Sequence, residues 1–144
     1  MNGISGSESL ETLVARFHGR DLPRREWTHR VHLGVALWTL QRFPFEAALK
    51  LLRSEIQSYN ESIGLANDPF SGYHETLTQF YARAVAAFLK HRQHEATGSD
   101  ELWAQLQQQW GDKNAIFTYY SRRHLFSPRT RAEFTPPDLR PLDF

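Results

Sequence analysis

An uninterrupted apolar stripe at helical spacing constrains this chain more than any other feature. Phe45, Ala48, Leu49, Leu52, Ile56, Tyr59 and Ile63 recur every three or four residues and stop at Gly64. On a helix these side chains form one face that must be buried against another element, whereas on a strand they would scatter over both faces. Pro44 suits the first helical position, where a missing amide costs nothing. The same period recurs along the chain. Leu10, Leu13, Val14 and Phe17 predict a short first helix, with Gly19 as its left-handed C-terminal cap. Thr28 is placed to cap a second helix that runs to about Arg42. A third long helix is predicted over roughly Tyr73 to Arg92, with Leu77, Phe80, Tyr81, Ala84, Val85 and Phe88 turned inward. Thr97-Gly98-Ser99-Asp100 introduces a shorter one carrying Leu102, Leu106 and Trp110, and a last helix is expected at about Asn114 to Arg123.

From Ser127 onward, Pro128, Pro136, Pro137 and Pro141 predict an extended tail laid over the body after one short turn. No segment alternates as a half-buried strand does. The expected fold is therefore all-α: a single-domain bundle of about five helices over residues 9–144, with a Pro-rich extended C-terminal tail. The Gly- and Ser-rich residues 1–8 are expected to be flexible. A chain of 144 residues with ten Phe and four Trp is long and apolar enough to bury one core.

Composition narrows the chemistry. Cysteine is absent, which excludes disulfides, thiolate metal sites, iron–sulfur clusters and a thiol nucleophile. The 17 basic and 16 acidic residues leave a net charge of +1, so no global field draws the chain to nucleic acid or to an anionic membrane. No run approaches the length of a membrane span, and the N-terminal residues do not read as a targeting segment. A soluble cytoplasmic protein is expected, with no nucleotide-cofactor motif.

Two histidine motifs stand out, Trp27-Thr28-His29-Arg30-Val31-His32-Leu33 and Gly72-Tyr73-His74-Glu75-Thr76. His29 and His32 are three apart in the first turn of a helix, and so share a face that continues through Leu33, Val35, Ala36 and Leu40. His74 opens another helix on a side shared with Leu77, Tyr81 and Val85. Three inward imidazoles from two helix starts would leave open positions on a divalent ion, as a catalytic metal requires. Zinc, nickel, iron(II) and manganese all accept such ligands. Beside them, Glu75 is the candidate base or supporting carboxylate, and Tyr73 a donor to a substrate oxygen. Arg122 and Arg123, within the basic, aromatic stretch Tyr119 to Arg131, are candidates for orienting an anionic substrate group.

Taken together, F/W-T-H-x-x-H-L at Trp27–Leu33, Y-H-E-T at Tyr73–Thr76, Leu125-Phe126-Ser127 and Pro137-Asp138-Leu139-Arg140-Pro141-Leu142 resemble a family of small bacterial helical proteins of unassigned function. The resemblance covers most of the chain after about residue 25 and implies positions, not a reaction.

Two readings of function follow. In the first, His29, His32 and His74 hold a divalent metal that activates water for hydrolysis of a small molecule. In the second, the protein is a metal-free ligand-binding or interaction domain whose histidines fix helix ends by hydrogen bonds, with Trp103 and Trp110 on an exposed face available to a homodimer contact.

Overall fold

The computed structural model describes residues 8–144, and every element in it is helical. Five helices of nine residues or more carry the fold: α1 (Leu10–His18), α2 (His29–Arg42), α3 (Phe45–Ser62), α4 (Glu75–Lys90) and α5 (Ser99–Trp110). Two short ones follow, α6 (Arg122–Leu125) and α7 (Pro128–Ala132), and 3-10 turns occupy Arg24–Glu26 and Ala115–Thr118. The all-α expectation holds, and no strand occurs among the described residues. Residues 1–7 of the segment expected to be flexible lie outside the described residues. Glu8 is held, 3.0 Å from Arg16.

Helix α2 is the centre of the packing and touches α1, α3, α4 and α5. Its middle is apolar nearly all round, with Val31, Leu33, Val35, Ala36 and Leu37 buried, as a helix surrounded by others must be. Gly34 permits the closest approach. A Cβ there would lie 3.0 Å from both Leu10 and the Trp103 ring, so α1 and α5 close over α2 only because the position lacks a side chain. The three helices are also tied by polar contacts. Asp100 Oδ1 accepts from the Leu10 amide at 2.8 Å, satisfying an otherwise orphan donor at the start of α1. Trp103 Nε1 donates to the Arg30 carbonyl at 3.1 Å.

Phe80 occupies the middle of an aromatic cluster with Tyr81, Trp110, Tyr119, Tyr120 and Phe144, with ring centroids 4.9 to 6.3 Å away. The tail beyond α7 joins the core through this cluster and through Thr135, whose amide donates to Thr76 Oγ1 at 3.0 Å.

Four expectations are corrected. Gly19 keeps right-handed backbone angles at φ −80°, and the left-handed residue that turns the chain is Arg20, at φ 63°. The helix expected over Asn114–Arg123 is split: a 3-10 turn ends at Thr118, and Ser121 starts α6 by accepting from the His124 amide. Hydroxyl capping chemistry inside the segment outweighs the apolar spacing of Ile116, Phe117 and Tyr120. The third long helix begins at Glu75, two residues after Tyr73, because His74 serves as its cap. Trp103 and Trp110 are 3% and 8% exposed, so neither forms an outer face for a dimer.

Candidate functional site

The path from α3 to α4 decides where the second histidine motif sits. Asn67 pins the loop to α3: its Oδ1 accepts from Asn60 Nδ2 at 3.0 Å and from the Tyr73 amide at 2.9 Å, and its Nδ2 donates to the Gln57 carbonyl at 3.0 Å. Gly72 then turns the chain at φ 79°, with its α-carbon so close to the Ala66 carbonyl that a Cβ would fall 2.2 Å from that oxygen. These constraints deliver His74 to the start of α4, facing the start of α2.

His29, His32 and His74 line one cavity of about 430 Å³ between α2, α3 and α4. Its apolar wall includes Leu33, Ala36, Leu52, Ile56, Leu65 and Leu77, with Trp27 and Phe126 also bordering it. The volume lies within the roughly 300–1,000 Å³ typical of small-molecule sites. The two motifs are therefore brought together, as expected.

Each imidazole is also tied to a backbone carbonyl. His29 Nε2 donates to the Trp110 carbonyl at 2.8 Å, one of the orphan acceptors at the end of α5. His32 Nδ1 donates to the Thr28 carbonyl at 2.8 Å, one turn back, while its ring lies under Trp27 with centroids 3.6 Å apart. His74 is committed at both nitrogens. Nδ1 accepts from the Leu77 amide at 3.1 Å as the helix cap, and Nε2 donates to the Leu125 carbonyl at 2.7 Å. A carbonyl accepts only from an N–H, so these bonds specify the tautomers: Nε2–H for His74, Nδ1–H for His32. Among the described residues, no three His, Asp or Glu side chains are grouped as metal ligands.

Burial, which disfavours a charged ring, lowers the pKa of His32 to about 4; its bond to the Thr28 carbonyl opposes the shift and the neighbouring His29 adds to it. Burial likewise lowers that of His74. Both helix starts carry positive partial charge, which further disfavours imidazolium. A folded pKa for His32 below its ordinary 6.5 has a definite sign. Below pH 6.5 the unfolded chain binds more protons, so this contribution is full above 6.5 and is lost as the pH falls towards about 4. Urea unfolding between pH 7 and pH 4.5 is expected to show stability falling on acidification, with a shallower slope in His32→Gln. An identical slope in the variant would contradict this assignment.

Glu75 lies outside the cavity wall, on the neighbouring groove. Arg53 of α3 grips it through two bonds of 2.8 Å, Tyr73 donates from its hydroxyl at 2.8 Å, and Gln79 from Nε2 at 2.6 Å. Burial alone would raise this carboxyl, but the donors from Arg53, Gln79 and Tyr73 together with the Arg53 charge bring it down to about 2. As a proton acceptor near neutral pH it is poorly matched. The Tyr73 hydroxyl is spent on Glu75, and burial raises its pKa. Arg122 and Arg123 are exposed and absent from the cavity wall, and Arg122 lies over the Phe117 ring at 4.1 Å. Tyr73 thus borders the cavity with the three histidines while its hydroxyl is turned to Glu75, whereas Glu75, Arg122 and Arg123 are not brought to the cavity wall.

Other polar groups take those places. Asn60, Thr78, Tyr81, Lys113 and Arg131 border the cavity. Asn60 Oδ1, the Tyr81 hydroxyl and Arg131 Nε are buried without a hydrogen-bond partner among the described residues. The Ile116 backbone amide lies near enough to the Tyr81 hydroxyl to lower its pKa against the rise that burial causes, though it falls outside strict hydrogen-bond geometry. Buried polar atoms are ordinarily satisfied, and these three are enclosed by the protein around the cavity rather than open to it. Asn60 was detectable in the sequence, since it sits four residues after Ile56 on the inward face of α3. Arg131 closes the basic, aromatic stretch from Tyr119, whereas Lys113 carried no signal.

Comparison with protein-family models, curated proteins and solved structures finds no match. Fold and site together define an all-α bundle with a histidine-walled cavity. Among the described residues no helix is long and apolar enough to cross a membrane.

Proposed function

We propose that this protein binds a small, largely apolar molecule in the cavity between α2, α3 and α4, with its histidines acting as neutral walls and helix fasteners. The observation that carries this reading is a cavity of about 430 Å³ whose wall is mostly apolar yet is bordered by a few polar residues, Asn60, Thr78, Tyr81, Lys113 and Arg131. Apolar area supplies affinity and a few polar groups fix orientation, which is the usual division of labour in such sites. The motif resemblance assigns no reaction, so the proposal rests on geometry alone.

A second reading keeps the metal. Among the described residues His32 Nε2 and His29 Nδ1 have no hydrogen-bond partner, and the two residues lie one turn apart at the cavity. A zinc, nickel, iron(II) or manganese ion held there would polarise a carbonyl or acidify water. His74 would complete a three-histidine set only by releasing its bond to Leu77 or to Leu125. The geometry therefore favours the metal-free reading.

Titration with naphthalene-2-carboxamide and, separately, with Zn²⁺, followed by amide NMR shifts, tests both. The expected result is saturable binding of the amide probe, with shifts at Gly72, Leu77 and Thr78 that disappear in a folded, cavity-filling Ala36→Phe variant. Stoichiometric Zn²⁺ binding lost in a folded His74→Asn variant would overturn this reading in favour of the metal site.

A further inference from the structure

We infer that the molecule this cavity takes is an organic anion, an apolar body ending in a carboxylate or similar acid group that is held by Arg131 with Lys113 at the rim. The inference rests on the cavity being a ligand site, and it names the chemical class of the ligand.

The charge balance of the wall carries it. Among the described residues no Asp or Glu borders the cavity, whereas Lys113 does, and so does Arg131, which also borders the neighbouring groove with Asp68, Glu75 and Glu133. Neither cation has a carboxylate within 4.0 Å among the described residues. Their neighbours are also committed elsewhere. Of the carboxylates on the elements around Arg131, Glu75 is gripped by Arg53, and Glu133 pairs with Arg129 at 3.0 Å. Asp68 Oδ1 accepts from the Phe70 amide and from Ser71 Oγ at 2.9 and 3.1 Å, which ties it to its own turn, and its exposed charge acts on Arg131 only through space, without a hydrogen bond.

Arg131 is anchored and only partly used. One terminal nitrogen, Nη1, donates to the Gly72 carbonyl at 2.9 Å, which fixes the guanidinium beside the start of α4; Nε is enclosed by the protein, and Nη2 makes no hydrogen bond among the described residues. A guanidinium presents its donors in a planar fork that matches a carboxylate. A half-buried cation with unused donors at an apolar cavity is poorly compensated by the protein alone, and a ligand anion supplies what is missing. The remaining polar atoms suit the same molecule. His32 Nε2 accepts, and so favours a hydroxyl or N–H elsewhere on the ligand, away from the acid end.

Paired affinities for naphthalene-2-carboxylate and naphthalene-2-carboxamide, which match in shape and differ in charge, give the test. Wild type at pH 7.5 is expected to bind the carboxylate about tenfold or more tightly than the amide. Arg131→Met should abolish that preference while amide affinity is retained, which doubles as its folding control. Lys113→Met, at an exposed position, should reduce the preference without abolishing it. Equal affinity of wild type for the two probes overturns the anion inference and leaves the cavity reading standing. Binding of neither probe overturns both.

Discussion

Glu75→Ala is expected to lower the unfolding free energy at pH 7 by about 3 kcal/mol, and this deficit should shrink as the solution is acidified. A carboxyl held at about 2 against an ordinary 4.5 is worth about that much at neutral pH. Mutational experience with broken buried ion pairs gives a similar or larger figure, about 3–5 kcal/mol. The lower end is appropriate here because the Arg53 side chain is 40% exposed and can rehydrate once its partner is gone. The sign follows from the depressed pKa. Above pH 4.5 the stabilisation is complete; as the pH falls towards 2 the folded carboxyl is forced to protonate and the stabilisation is lost. Urea unfolding of wild type and variant at pH 7 and pH 2.5 would show the gap closing. A gap of equal size at both would mean that the effect is packing rather than charge.

His74→Ala is expected to cost a comparable amount, about 3 kcal/mol, for a different reason. The variant loses a helix cap, about 1 kcal/mol, and leaves the Leu125 carbonyl without its donor in a buried place, about 1–3 kcal/mol more. His74→Asn separates the two terms. Asparagine is a good cap but too short to reach Leu125, so it should recover about 1 kcal/mol of the loss. Equal stabilities for the alanine and asparagine variants would show that capping contributes nothing at this position. Because burial keeps His74 neutral, its share of stability is full above pH 6.5 and declines below it.

Both variants show where the sequence was informative. The helical period made α2 and α3 legible almost to the residue, since each carries an apolar face and punctuation by Pro44 and Gly64. The approach of the two histidine motifs was legible too, because both open helices and both look inward. What each imidazole does there was not. A histidine at a helix start competes for backbone groups of its own turn and of neighbouring helices, and only the packing of α5 and α6 places the Trp110 and Leu125 carbonyls within reach. Glu75 was misassigned for a similar reason: its partner Arg53 lies 22 residues earlier, on a helix whose rotation about its axis places that guanidinium beside α4. Trp110 appeared available to a second copy because its partner Phe144 sits at the far end of a tail whose path no period announces. Arg131 and Lys113 reach the cavity through short, irregular segments after α5, where spacing rules carry little information.

Three imidazoles border one cavity while fastened to the backbone in fixed tautomers. Nitrogen-15 NMR of the histidine rings reads this directly at pH 7. The expected spectrum places the ring N–H of His74 and of His29 on Nε2 and that of His32 on Nδ1, with His32 still neutral at pH 5.5. Rapid tautomer averaging at His74, or an imidazolium signal from His32 at pH 5.5, would contradict it.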